Sequence, residues 1–323
     1  MQDSRGTVTP WNHPFVPQRA DPYILHEDGA FWMTASVPAY DRIVLRKAGT
    51  LAGLRAAPET AVWHAHESGP MSKHVWAPEL HRIDGRWYLY FAAGERDDIW
   101  KIRPWILRCA SDDPLAGPWT ELGGMRAADP FSFRDFSLDM TTFVHRGQRY
   151  CVWAEKVAAD PKISNLYIAR MDGPDALATP QMLLSSPTYA WERHGFWVNE
   201  GPAFLPGGDR VFLTYSASDT SAAYCMGMLW ADADADLMDF AAWHKSPRPV
   251  FATDAARGIY GPGHNSFFRD EAGDWCMAYH ARPYEKVVGD PLNDPNRHCF
   301  VLKVRWADGM PVFSTDSQLF TED

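Results

Sequence analysis

The sequence predicts an all-β protein: a five-bladed β-propeller with four-stranded antiparallel blades around a central funnel. Three observations carry that expectation. One hairpin pattern is written five times, and the copies recur at intervals of roughly sixty residues. No sustained helical periodicity runs between them.

The copies, in order, are "ADPYILHEDGAFWMTAS" from Ala20, "APELHRIDGRWYLYFAAG" from Ala77 and "LDMTTFVHRGQRYCVWAE" from Leu138. They continue with "NEGPAFLPGGDRVFLTYSAS" from Asn199 and "GHNSFFRDEAGDWCMAYHA" from Gly263. Each opens on a small polar cluster and alternates through a short strand to a turn: "EDG", "IDG", "RGQ", "GGD" or "EAGD". A second strand rich in Tyr, Trp, Phe and Val follows, the residues that suit a pleated, half-buried surface. Stretches between the hairpins, such as "RKAGTLAGLRAAPETAVWHAHESGPMSKH", are expected to supply the outer strands and longer loops on one face. "GDPLNDPNRH" reads as a polar loop before the final strand "CFVLKVRW". No low-complexity linker or shift in composition divides the chain, so residues 1–323 are expected to form a single domain.

Composition narrows the function classes. The chain has 323 residues, 46% of them hydrophobic, which is ample for a large core. A net charge of −10 argues against a nucleic-acid partner. No apolar stretch reaches the length of a membrane span. "MQDSRGTVTPWNHP" lacks the basic start and apolar core of a secretory leader. The five cysteines are odd in number, far apart and without a C-x-x-C pair, which predicts reduced thiols. Together these predict a cytoplasmic protein, secreted only where a precursor leader was removed. Nothing in the letters indicates an oligomeric state.

In a propeller the first strand of each blade lines the axis, so residues at matching ends converge. The cluster residues Asp21, Glu79, Asp139, Glu200 and His264 recur with the repeat. Asp21, Asp139 and Glu200 would then share one small space, where repulsion and burial both raise carboxyl pKa values. Such a trio suits glycoside hydrolysis: an acid to protonate the leaving oxygen, a carboxylate opposite, and a third group to tune the acid. Binding of an axial cation or capping of strand ends is the competing reading.

Over almost its whole length, from "ADPYI" through "HVWAPELHRIDGRWYLYFAA", "SLDMTTF", "NEGPAF" and "GPGHNSF", the chain resembles glycoside hydrolase family 43. The resemblance implies five-bladed propeller enzymes acting on arabinose- and xylose-containing glycans. It implies Asp21 as general base, Asp139 as pKa modulator and Glu200 as general acid. An inverting, single-displacement mechanism follows, with Asp21 and Glu200 about 6.5–9.5 Å apart. A second "ADP" at Ala128–Pro130 precedes no alternating strand, so Asp129 reads as a loop residue and Asp135 as a loop or rim acid. The role of Glu79 is open, since many members carry Asp there.

For substrate contact the expected residues are Phe31, His74, Trp76, His264 and Arg297. Trp76 and Phe31 would present aromatic faces to a sugar ring, and Arg297 matches an Arg that the family places beside substrate hydroxyls. His264 would touch an axial ion, commonly calcium, through water; a purely hydrogen-bonded histidine is the alternative. No cofactor is expected for the chemistry. "HAH" at His64–His66 lacks further zinc ligands at suitable spacing. No sandwich domain follows the fifth repeat, and "HESGPMSKHVWAPE" is similar to arabinofuranosidase-type members. The expected activity is therefore exo-acting α-L-arabinofuranosidase on arabino-oligosaccharides. β-Xylosidase, endo-arabinanase, a retaining relative using Asp21 as nucleophile, and a non-catalytic carbohydrate-binding propeller are the alternatives.

Overall fold

The structure, a computed structural model, describes residues 13–320. The five hairpins form where the repeats lie. They are β1 Ala20–Glu27 with β2 Ala30–Ser36, then β5 Lys73–Ile83 with β6 Arg86–Gly94, and β9 Ser137–His145 with β10 Gln148–Ala159. β13 Trp197–Pro206 pairs with β14 Arg210–Ala217, and β17 Tyr260–Arg269 with β18 Trp275–Arg282. Asp28-Gly29, Asp84-Gly85 and Arg146-Gly147 turn the first three hairpins with both residues at positive φ. Tight primed turns need that geometry to match strand twist.

Outer strands extend each hairpin. β3 Arg42–Ala48 and β4 Thr60–His64 complete one four-stranded sheet; β7 Arg103–Cys109 and β8 Trp119–Gly124 complete another. β11 Lys162–Arg170 and β12 Met182–Ser185 extend the third hairpin; β15 Cys225–Asp232 and β16 His244–Lys245 extend the fourth. A short parallel pairing of Ile163 and Ser164 with Trp197 and Val198 joins these last two into one eight-stranded sheet. β19 His298–Lys303 is third in its sheet, and Val16 bridges its Cys299 through two backbone bonds of 3.2 and 2.9 Å. The start of the described chain is thereby tied to its last repeat. Among the described residues, helix is confined to one six-residue segment, Leu51–Ala56, and 3₁₀ turns.

The first strands β1, β5, β9, β13 and β17 each touch the next, and β17 returns to β1. Apolar side chains fill the spaces between neighbouring sheets. Val152, Leu166, Leu213 and Leu229 share one cluster, and Met226, Phe251, Met277 and Phe300 another. Phe31 belongs to this packing and not to a sugar site. It is wholly buried, stacked on His26 at 3.9 Å and edge-on to Phe268 at 6.3 Å. The register explains the correction: Phe31 pairs with His26 beside the turn, whereas Ser36, at the other end of β2, pairs with Ala20 beside Asp21. Phe31→Ala should cost about 3–5 kcal/mol in denaturant unfolding, as large-to-small core changes do. Loss of sugar affinity without loss of stability would contradict this placement.

Candidate active site

Every first strand carries the same defect at the same end. Two residues of the strand oppose one of its partner: Asp21-Pro22 on β1, Ala77-Pro78 on β5 and Asp139-Met140 on β9. Gly201-Pro202 on β13 and His264-Asn265 on β17 complete the set. The leading residue of each bulge has positive φ: Asp21 53°, Ala77 44°, Asp139 55°, Gly201 54° and His264 45°. A bulge of this kind re-aims a side chain, and holding a non-glycine residue there costs about 1–3 kcal/mol. Five such bulges turn the strand ends toward one centre. They also correct the alignment of the repeats, because Glu79 lies one residue beyond its bulge and Glu200 one residue before.

Asp21 is buried among cations. Its Oδ1 lies 3.3 Å from His264 Nδ1 and 3.6 Å from Arg297 Nη1. Ser36 Oγ donates to Oδ2 at 2.5 Å and accepts the Ala77 amide at 2.8 Å. Burial alone would raise the carboxyl pKa, but His264, Arg297 and His280 together hold it far below the usual range, so Asp21 stays ionised. His280 Nδ1 stands 3.1 Å from the Asp21 amide nitrogen and 3.2 Å from Asp21 Oδ1. Burial drives His280 down to about 3 and keeps it neutral. His264 behaves oppositely: burial works against its charge, yet Asp21, Asp139 and Glu200 outweigh burial and raise it. Arg297, also buried, donates to Tyr40 Oη at 2.6 Å, and the Tyr40 hydroxyl donates a hydrogen bond to the Leu292 carbonyl at 2.7 Å.

Asp139 and Glu200 form the second half of the site. Asp139 Oδ2 accepts the Gly201 amide at 3.0 Å and sits 4.0 Å from His264 Nδ1. Tyr224 donates its phenol proton to Glu200 Oε1 at 2.8 Å. Burial, followed by the negative charge of Asp139, pushes Glu200 up to about 7. Asp139 is raised too, by burial first and by Asp21 as well. Glycine is needed at 201, because a Cβ there would stand 3.2 Å from His264 Cγ and Nδ1 at an already positive φ. One cavity thus holds a carboxylate fixed in its charged form and a carboxylic acid that keeps its proton to near neutrality.

That cavity measures about 770 Å³, and Asp21, Asp139, Glu200, His264, Trp76 and Arg297 all line it. His74 is absent from its surface. It stacks behind Trp76 at 4.5 Å and so backs the indole without reaching the sugar space. Four lining aromatics escaped the sequence reading: Trp100, Phe136, Phe196 and Tyr224. They sit outside the hairpin repeats, in connections whose letters carry no period. Asp129 is a loop residue, accepting the amides of Phe131, Ser132 and Gln181, while Asp135 is at the cavity. Glu79 binds His81 Nε2 at 2.7 Å.

The His264 imidazole stands between two carboxylates, Asp21 at 3.3 Å and Asp139 at 4.0 Å, which raise its pKa against the effect of burial. Among the described residues no three His, Cys, Asp or Glu side chains gather as a metal site. His66 is engaged by Glu121 and the Pro70 carbonyl.

The family model for glycosyl hydrolases family 43 matches residues 11–311. The chain belongs to that family. An extracellular exo-α-(1→5)-L-arabinofuranosidase of Streptomyces avermitilis is 51% identical over 94% of this chain and 63% of its own length. The enzyme of that name from Streptomyces chartreusis is 49% identical over 87% of this chain and 85% of its own. The chain spans less than two thirds of the Streptomyces avermitilis relative. A crystal structure of an α-L-arabinofuranosidase from Lactobacillus brevis superposes with a TM-score of 0.88 at 45% identity, covering 94% of this chain and 96% of that one.

The expectation of a cytoplasmic protein is overturned by these family members, since both Streptomyces relatives are named extracellular. Its physical basis was weak. All five cysteines are buried free thiols, and burial pushes Cys225 and Cys276 up to about 12. Inert thiols of this kind need no reducing compartment.

The raised state of Glu200 gives a pH test. Asp139→Asn removes a negative neighbour that favours the protonated acid, so the alkaline limb of kcat/KM should move to lower pH as the rate falls. A pH–rate profile with an unmoved limb would separate Asp139 from Glu200.

Proposed function

We propose that the protein is an inverting exo-α-L-arabinofuranosidase. It removes terminal, α-1,5-linked arabinofuranosyl units from arabino-oligosaccharides. The observation that carries this reading is the opposed charge state of Asp21 and Glu200 in one cavity. Family membership and the printed activities of the Streptomyces and Lactobacillus relatives support the substrate class.

In this reading Glu200 protonates the glycosidic oxygen as the bond from the anomeric carbon breaks, and the bonding pair stays on that oxygen. Asp21 takes a proton from a water whose oxygen forms the new bond to the anomeric carbon from the opposite face. Asp139 holds the Glu200 pKa up and, through the Gly201 amide, fixes the backbone that carries it. Trp76 offers an aromatic face to the terminal sugar. His264 and Arg297 offer donors to its hydroxyls while keeping Asp21 ionised. Trp100, 54% exposed and 6.4 Å from Trp76 by ring centroids, extends the aromatic wall toward the leaving sugar. We also read the chain as one domain of five blades, the fifth completed by the Val16 segment on β19.

A panel of nitrophenyl glycosides tests the assignment: α-L-arabinofuranoside should be cleaved well above β-D-xyloside, and the reverse order would overturn it. Glu200→Gln should lower kcat on arabinobiose by about 10²–10⁴-fold. A purely binding role for the fold predicts no activity to lose. Early-time NMR should find the inverted anomer first; retained configuration would make Asp21 a nucleophile.

A further inference from the structure

Between the two halves of the site stands Tyr224, a side chain that no repeat marks. It is 1% exposed, and three neighbours fix it. Its ring lies flat on His280, with centroids 5.6 Å apart and planes 9° from parallel. Ser216 hydrogen-bonds the phenol and, through the same Oγ, accepts the His264 amide at 2.7 Å. Behind the ring is Gly263, where a Cβ would come within 2.4 Å of Tyr224 Cε1. The phenol is therefore clamped, and it donates to one particular oxygen of Glu200, Oε1. Among the described residues no other side chain hydrogen-bonds that carboxyl group.

A protonated carboxyl group has one carbonyl oxygen and one hydroxyl oxygen. An oxygen that accepts a phenol proton takes the carbonyl role. We infer that Tyr224 is a positioning residue that assigns the transferable proton of Glu200 to Oε2 and aims it at the glycosidic oxygen. This rests on Glu200 being the general acid. In the step itself the Oε2–H bond breaks, the proton goes to the leaving oxygen, and Glu200 is left as a carboxylate. The Tyr224 bond then becomes charge-assisted and roughly doubles in strength. It therefore stabilises the transition state more than the ground state. The other charged groups facing Glu200 are Asp139 on β9, Asp21 on β1 and His264 on β17. None of them selects between its two oxygens by a hydrogen bond.

Tyr224→Phe keeps the ring and its stack on His280 and removes the hydroxyl, with its bonds to Glu200 and Ser216. The experiment compares kcat/KM on α-1,5-arabinobiose, whose leaving group needs a proton, with 2,4-dinitrophenyl α-L-arabinofuranoside, whose leaving group does not. The expected result is a loss about 10–100-fold larger on arabinobiose. The alkaline limb should move up by about one pH unit, because the lost bond favoured the carboxylate. Both readouts are internal to the folded fraction, so partial misfolding does not imitate them. Equal losses on the two substrates, or an unmoved limb, would overturn the proposal. Glu200→Gln serves as the separate control: without a leaving-group split in that variant, the general-acid reading fails first.

Discussion

Three carboxyl groups buried in one cavity repel one another, and the rest of the site exists to contain that repulsion. Opposite charges about 4 Å apart attract by about 4 kcal/mol at an effective dielectric near 20. Two basic side chains, His264 and Arg297, stand that close to Asp21, and among the described residues none makes an ion pair with Glu200. The asymmetry divides the labour. Asp21 carries a permanent negative charge, while Glu200 lowers the local charge by keeping its proton. Neutral His280 and Ser36 satisfy the remaining polar atoms of Asp21 without adding charge.

The bulges convert this electrostatic demand into geometry. A regular strand sends successive side chains to opposite faces, so it cannot aim one at a central space and keep its ladder intact. Inserting one extra residue per strand does so at a modest backbone cost. Asp tolerates positive φ better than most residues, and glycine pays nothing there, which suits positions 21, 139 and 201. Ala77 and His264 adopt the same conformation without that ease, and the packed strands on either side hold them in it. Behind Glu200, the neighbouring Asn199 is tied to buried Glu192 at 2.9 Å, and Lys245 pairs with Glu192 at 2.6 Å. The backbone that presents the acid is therefore braced from outside the cavity.

Much of the architecture was legible in the letters because hairpins are local. Alternation and turn residues within about twenty positions specify each of the five, and the recurrence of "ADP", "APE", "LDM", "EGP" and "GHN" marks the strand ends. Phase was legible only approximately. Asp21, Asp139 and His264 lead their bulges, but Glu200 and Glu79 do not, since a bulge shifts register by a residue that spacing alone does not reveal. Phe31 and His74 failed as sugar contacts for a related reason. Lying near a motif in sequence does not say which end of a strand, or which side of a stacked pair, a ring occupies.

By itself the sequence determined the all-β character, the five hairpins, and the identity of Asp21, Asp139 and Glu200 as the acids to watch. Periodic patterns and short motifs carry that information within single strands. Only the tertiary structure decided the charge states, because these depend on cations delivered from other strands: His264 from β17 and Arg297 from the loop before β19. The contacts of Tyr224, His280, Ser36 and Trp100 likewise arise where separate sheets meet. Contacts between distant segments set the electric field in a cavity, and no local run of residues encodes it.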